Sequence, residues 1–409
     1  MDAFTNRRDL GSLDPAASRH NWARSAVAVS GEQVFVGTAD GRISGFDSSL
    51  EDGERWSVRG EHRIVSMAAG DDCLVVGERG GDGRLRVLDP ETGTLRWEYA
   101  TTDDIGTATR ESLFFLPYLV DVAVTDDRVV AIARRYERDS DERVWTSVVY
   151  GFDHDGEVRW RYRTAASPIA LDAERDRVAV AYNRCPEADQ HGLVVLDGET
   201  GASRATWDPE IDAERRVGDV AFAGDDIAVA CHGDKRGYLL DGDGRERWSV
   251  ALATKQSLGD ETVYAYPNHV CVADGTVVFV TGNTFAESTR DPDARHPNEH
   301  TVFAVEDGDP KWTYDSGGFA RGVESVGERV VVPSAQNFRL RSADTHCVRV
   351  FDAADGHVET TECSGIPTAI AVGDDVLAMV EEPVEYHDEG VTHGAYRLHV
   401  QPAAESRRN

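Results

Sequence analysis

The sequence predicts an all-β fold: an eight-bladed β-propeller of four-stranded antiparallel blades, its ring closed by a strand from the N-terminus. Three observations predict it. One template recurs eight times along the 409 residues, tryptophan recurs at equivalent places in six copies, and the last copy ends too early to complete itself.

The template is an apolar run, a Gly-Asp or Asp-Asp turn, a β-branched run, a variable loop, an alternating stretch ending in an apolar-acidic pair, a Gly turn, and Arg-Trp or Lys-Trp. In chain order the copies occupy residues 26–56, 67–99, 121–160, 170–207, 220–248, 270–312, 324–363 and 370–402. Their anchors are Asp47, Asp89, Asp153, Asp197, Asp241, Glu306 and Asp352, with Gln401 at the equivalent place in the last copy. Successive anchors are 42, 64, 44, 44, 65, 46 and 49 residues apart. A period in the mid-forties interrupted by two insertions is the mark of four-stranded propeller blades. Alternation in RLRVLD and YRLHV predicts half-buried strands, and continuous runs such as VVVPS and VVFVTG predict strands buried on both faces.

The eighth copy runs out at QPAAESRRN, which is too short and too polar for a fourth strand. An unpaired edge would remain, and closing the ring removes it. Residues 1–24 are therefore expected to supply the outer strand of the last blade, in particular His20, Asn21, Trp22, Ala23 and Arg24. The propeller then spans 25–402 and residues 403–409 form a polar tail. The alternative is a seven-bladed ring with a C-terminal addition.

Residues 88–99 read LDPETGTLRWEY. Within a blade this is the end of the third strand, a turn, and the outer strand. Pro presets φ, Gly93 supplies a positive φ, and the side chains of Asp89 and Thr92 can bond the turn backbone. The same place reads DGETG at 197–201 and DGDG at 241–244, so Thr drops out while Gly stays. Trp56, Trp97, Trp160, Trp207, Trp248 and Trp312 then fall at equivalent positions of six outer strands, where large aromatic side chains wedge neighbouring blades together. Six equivalent tryptophans cannot all face one cofactor.

With this motif the chain resembles the pyrroloquinoline-quinone-like propeller repeat family, in its non-catalytic branch, over nearly its whole length. The full Asp-x-x-Thr-Gly-x-x-x-Trp form occurs once, from Asp89 to Trp97, and other copies keep parts of it. Family members with quinone chemistry resemble longer exported enzymes with adjacent cysteines over the quinone and a bound calcium. Here no two cysteines are adjacent and the first is Cys73, so neither that disulfide nor an N-terminal lipidated cysteine is expected. The resemblance implies a binding or scaffolding role, with no cofactor expected.

Composition narrows the setting. The formal charge is −31, from 74 acidic against 43 basic residues, and only Lys235, Lys255 and Lys311 are lysine. The apparent lack of a basic stripe argues against nucleic acid, and nothing approaches the ~18 apolar residues of a membrane span. The N-terminus lacks the apolar core of a signal peptide, and Cys73, Cys185, Cys231, Cys271, Cys347 and Cys363 are spaced as free thiols. The expected location is a high-salt cytoplasm.

Short loops and long loops segregate by type. The second-to-third strand loops at 134–145, 183–191, 283–300, 334–346 and 381–394 are long, as are the blade-to-blade connections at 100–118 and 252–268. Both classes leave an up-and-down blade on one face, which is expected to carry the function. On it, 110–121 (RESLFFLPYLVD) is expected to be covered core or a channel plug, and 288–300 (STRDPDARHPNEH) a solvated loop. His387, Asp388 and His393 are weak candidates for a divalent metal, with Glu389 and His399 nearby. No nucleophile elbow, P-loop or zinc-protease motif is present. The favoured function is a non-enzymatic scaffold for a protein partner. The alternative is a ligand-, quinone- or metal-binding propeller, or an oxidoreductase built on one.

Such an acidic surface repels itself. The thermal unfolding midpoint is expected to rise between about 0.1 M and 1 M potassium chloride, as the screening length falls from ~10 Å to ~3 Å. A flat or falling midpoint in calorimetry would show that surface repulsion does not limit stability.

Overall fold

Seven copies of the template fold as four-stranded meanders and the eighth supplies three strands, because the short turns between first and second and between third and fourth strands can only reverse the chain. A computed structural model describes residues 6–17, 23–140, 142–386 and 390–402. Eight blades result, not seven. Their inner strands are Ala26–Ser30, Arg63–Ala69, Tyr118–Thr125, Ser167–Ala173, Val217–Ala223, Glu261–Ala273, Glu324–Val326 and Ile366–Val372. Successive inner strands lie side by side around a central channel, and the eighth returns to the first. Second strands such as Leu74–Arg79 are buried throughout, whereas outer strands such as Glu54–Arg59 alternate between exposed and half-buried positions. The six cysteines are all free, five of them buried. Among the described residues no helix is long and apolar enough to cross a membrane.

The ring closes through the N-terminus. Asn6–Asp9 pairs antiparallel with Arg397–Pro402, placing Asn6 opposite Val400 and Asp9 opposite Arg397. The closing strand is thus Asn6–Asp9; of the expected stretch, residues 20–22 lie outside the described residues, and Ala23 and Arg24 lead directly into the first inner strand. Geometry explains the correction. An outer strand stands three spacings of ~4.8 Å from an inner one, so the chain needs several residues to cross the blade. Leu10, just past the closing strand, is buried in the core shared by the first and last blades.

Two of the expected loops are largely strand. In the third blade, Arg128–Asp139 and Glu142–Phe152 pair from Val129 opposite Phe152 to Asp139 opposite Glu142, so 134–145 is a hairpin tip. In the sixth, Glu261–Ala273 and Thr276–Ala286 lengthen in the same way. These are the two blades in which the repeat carries its insertions.

The tryptophans and the acidic turns are two halves of one joint. The indole Nε1 of Trp56 donates to the carbonyl of Pro90 at 2.8 Å, Trp97 to His154 at 2.9 Å, Trp160 to Gly198 at 2.8 Å and Trp312 to Ala353 at 3.0 Å. Each acceptor belongs to the turn of the next blade. Each ring also lies on that turn's glycine: Gly93, Gly156, Gly201 and Gly356, with φ between 69° and 89°. A Cβ on Gly93 would come within 2.4 Å of the Trp56 ring, so both backbone and space demand glycine there. Asp89 builds the turn, accepting the N–H groups of Glu91 and Thr92 and the Thr92 hydroxyl, while Arg96 donates to its other oxygen. Trp248 abuts Gly308 similarly, and Trp207 packs on Tyr238 with centroids 4.8 Å apart.

Trp160 is almost fully buried. Trp160→Ala is expected to cost about 3–5 kcal/mol in urea unfolding, from lost burial, a cavity and an unpaired Gly198 carbonyl, and Trp160→Phe less. A loss under about 1 kcal/mol would show that the joint contributes little.

Candidate functional site

The two faces of the ring differ sharply. The turns that carry Asp89, Gly93 and the tryptophan seats all leave on one face, together with the short inner-to-second turns. The repeat motif therefore stands at the opposite end of the blades from the long loops.

On the long-loop face two adjoining clefts open, of about 820 and 520 Å³. The segment from Asp9 to Asp14, which continues the closing strand, walls the first with Arg42, Arg59 and Tyr396. Leu113, Leu116, His62 and Arg79 wall the second, and Asp40 and Arg63 belong to both. The stretch 110–121 is only partly covered: Phe114 is 59% exposed and Phe115 packs on Tyr136. It is held on this face because the Arg79 guanidinium donates to the Leu113 carbonyl.

The loop 288–300 is not simply solvated. Its first half is exposed, but His296, Glu299 and His300 are buried. Backbone and side-chain groups bond them: His296 Nε2 meets the Thr254 carbonyl at 2.9 Å, His300 Nε2 meets Asn283 at 2.8 Å, and Glu299 accepts the Thr284 N–H at 3.0 Å. Burial holds both imidazoles below their ordinary range, that of His300 at about 4.

Of the metal candidates, His387 and Asp388 lie outside the described residues, as does Glu389. His393 sits in a two-residue strand opposite Val384, its ring 5.8 Å from that of Tyr386, which also contacts His346. His399 is engaged elsewhere, 2.7 Å from Glu381. Burial opposes ionisation of Glu381, but His399 and the N–H groups of Ala395 and Gly365 outweigh it and hold the carboxyl below its usual range. Among the described residues no three His, Cys, Asp or Glu side chains converge as metal ligands do.

The channel brings together groups far apart in sequence. Asp121 accepts the Leu171 N–H at 3.1 Å, Asp172 that of Phe222 at 2.7 Å and Asp219 that of Val270 at 3.0 Å, each tying its inner strand to the next. These carboxylates and Glu324 lie close enough to repel one another. Desolvation within the channel and that repulsion push the half-buried Asp121 up to about 7 and Glu324, although its side chain is exposed to solvent, to about 8. At the long-loop end of the same inner and second strands stand Arg63, Arg79, Arg134 and Arg184. Burial holds Arg79 down at about 10, with Arg134 and Arg63 adding to the effect. No linear basic stripe announces this cluster. Its only trace in the sequence is an arginine recurring where successive second strands end.

The relatives fit this architecture. The family model described as outer membrane protein assembly factor BamB matches residues 16–154 and 54–281, together more than half of the chain. The chain belongs to the BamB family. Membership corrects the expected location: a family described by outer membrane assembly does not support a cytoplasmic setting. No curated protein gives a match. Among solved structures, BamB from Moraxella catarrhalis shares 17% identity, covering 99% of this chain and 100% of that one, with a TM-score of 0.54. Quinohemoprotein alcohol dehydrogenase from Comamonas testosteroni shares 12%, over 95% and 76%, with a TM-score of 0.58. U3-55K shares 10%, over 97% and 98%, with a TM-score of 0.53. At such identities the likeness is one of fold.

The channel acids set a pH dependence. An unfolded chain titrates Asp near ~3.9, below the folded value of about 7 for Asp121, so the folded BamB-family ring holds this proton more tightly. The resulting stability is complete below about pH 4 and lost as pH rises through 7. Thermal midpoints are expected to fall from pH 5 to pH 8, and to fall less in Asp121→Asn. An equal fall in both would remove Asp121 as a source.

Proposed function

We propose that the chain is a non-enzymatic scaffold that holds a protein partner or complex through its long-loop face. One observation carries this reading. Among the described residues six large apolar side chains are exposed, and four of them, Phe114, Val144, Leu340 and Val391, stand on long-loop-face connections from four different blades. The other two, Leu95 and Val358, lie on outer strands. Isolated apolar residues are ordinary on a surface, but their gathering on the elaborated face suits a partner interface, which needs ~800 Å² per side.

The family's description as an outer membrane protein assembly factor supports an assembly role. The partner would then be a component of such an assembly. No quinone or metal enters this reading, because a rigid ring that presents loops needs neither to bind a partner.

Affinity capture from the source organism, followed by substitution, tests it. The partner recovered with the natural chain is expected to be lost with Phe114→Ser, Leu340→Ser and Val391→Ser combined, and kept with Leu95→Ser and Val358→Ser. Retention by the first variant, or equal loss from both, would remove the long-loop face from the account. All five side chains are exposed, so folding is not at stake.

A further inference from the structure

The chain carries 31 more negative than positive charges, yet one end of its channel is dominated by arginine. Arg63 and Arg79 face one another across the inner and second strands of the second blade. In the third blade Arg134 occupies the place of Arg79, opposite Tyr118, and both guanidiniums lie over that ring at 5.0 and 4.2 Å. In the fourth, Arg184 bridges to Arg215, which lies 4.5 Å over Tyr266. Lys235, one of three lysines in the chain, lies 4.8 Å from the neighbouring Tyr264 ring.

The clefts beside the mouth also carry Asp9, Asp14, Asp40, Glu61 and Glu111, but among the described residues no ion pair joins any of them to Arg63, Arg184 or Arg215; Asp40 pairs with Arg59 and Glu61 with Arg84. Glu382 pairs with Arg24 at 2.7 Å and lies near Arg63 and Arg321. Glu214 reaches Arg184 at 3.7 Å and is itself more than half exposed. Among the described residues no carboxylate reaches Arg63, and its Nη1 is buried without a hydrogen-bond partner. Arg63 also lines both clefts of the long-loop face. A half-buried guanidinium with an unused donor, beside others of its own sign, is arranged to receive an oxyanion.

We propose that the channel mouth on the long-loop face binds a short acidic polypeptide segment, whose carboxylates are received by Arg63, Arg184 and Arg215. This rests on the scaffold reading and names the chemistry of the partner. The cations are spread over several blades, so they match several carboxylates along a chain better than one small anion. The acidic remainder of the surface repels a long polyanion such as nucleic acid, whose charges recur every ~1.7 Å. Deeper in the channel the wall changes from arginine to Asp121, Asp172, Asp219 and Glu324, which offer a carboxylate no cationic partner and so limit its entry to the mouth.

Fluorescein-labelled hexaglutamate reads this out by anisotropy at about 50 mM salt, where screening is weak. Saturable binding is expected, weakened by added salt and reduced about tenfold or more in the double variant Arg63→Gln, Arg215→Gln, with the exposed Arg245→Gln on the opposite face as a control. No binding, or an affinity unchanged in the double variant, would overturn the proposal. So would inorganic phosphate or oligothymidylate binding there while hexaglutamate does not. Should the double variant fail to fold, a benzophenone-bearing hexaglutamate must crosslink to 63–79 or 184–215 of the natural chain, and labelling of the Asp-Gly turns instead would refute it. If partner capture survives the arginine substitutions but not the apolar ones, this inference fails and the scaffold reading stands.

Discussion

The structure depends on the seating of one blade's tryptophan on the next blade's glycine turn. The indole buries its faces, spends its single donor on a backbone carbonyl, and rests where any Cβ would collide with it. That use engages the indole donor, the ring faces and the Asp oxygens in packing one blade on the next. It also explains why Asp and Gly persist between copies while Thr drops out: Asp folds the turn and Gly admits the ring, whereas Thr adds one further bond to an Asp oxygen already in use.

The joint lacks its tryptophan at two successive boundaries, seventh to eighth and eighth to first, and something else must hold there. The outer strands of the seventh and eighth blades, Gly356–Glu362 and Asn6–Asp9, carry no tryptophan. The eighth blade is held to the first by a shared apolar cluster with Leu10, Val27, Tyr396 and Leu398, and by a buried polar group in which Arg24 and Ser25 both bond Glu382. The larger cleft lies beside this seam, walled by the segment that crosses it. Closure of the ring and shaping of the candidate site thus use the same N-terminal residues.

The blade count, the anchors and the sorting of long loops to one face were legible because each depends on local period and turn chemistry. Three things were not. The closing strand is NRRD, too short and polar to show alternation, so Trp22 drew the expectation toward residues 20–24. The stretch 134–145 reads as a loop because its strands, YERD and ERVW, are charged where they rise above the ring. The arginine mouth is a property of closure: residues roughly a blade apart become neighbours only when inner strands stand side by side. Net charge therefore misdescribes this end of the channel, where the local sign is opposite to the global one.

Two faces with separate duties is the central claim: one face holds the blades together, the other meets a partner. Hydrogen–deuterium exchange of the chain with and without its captured partner tests this most directly. The account predicts new protection in 9–14, 110–121, 334–346 and 390–394 and around the channel mouth, with the Asp-Gly turns at 89–93 and 197–201 unchanged. Protection centred on those turns, with the long loops unaffected, would contradict it.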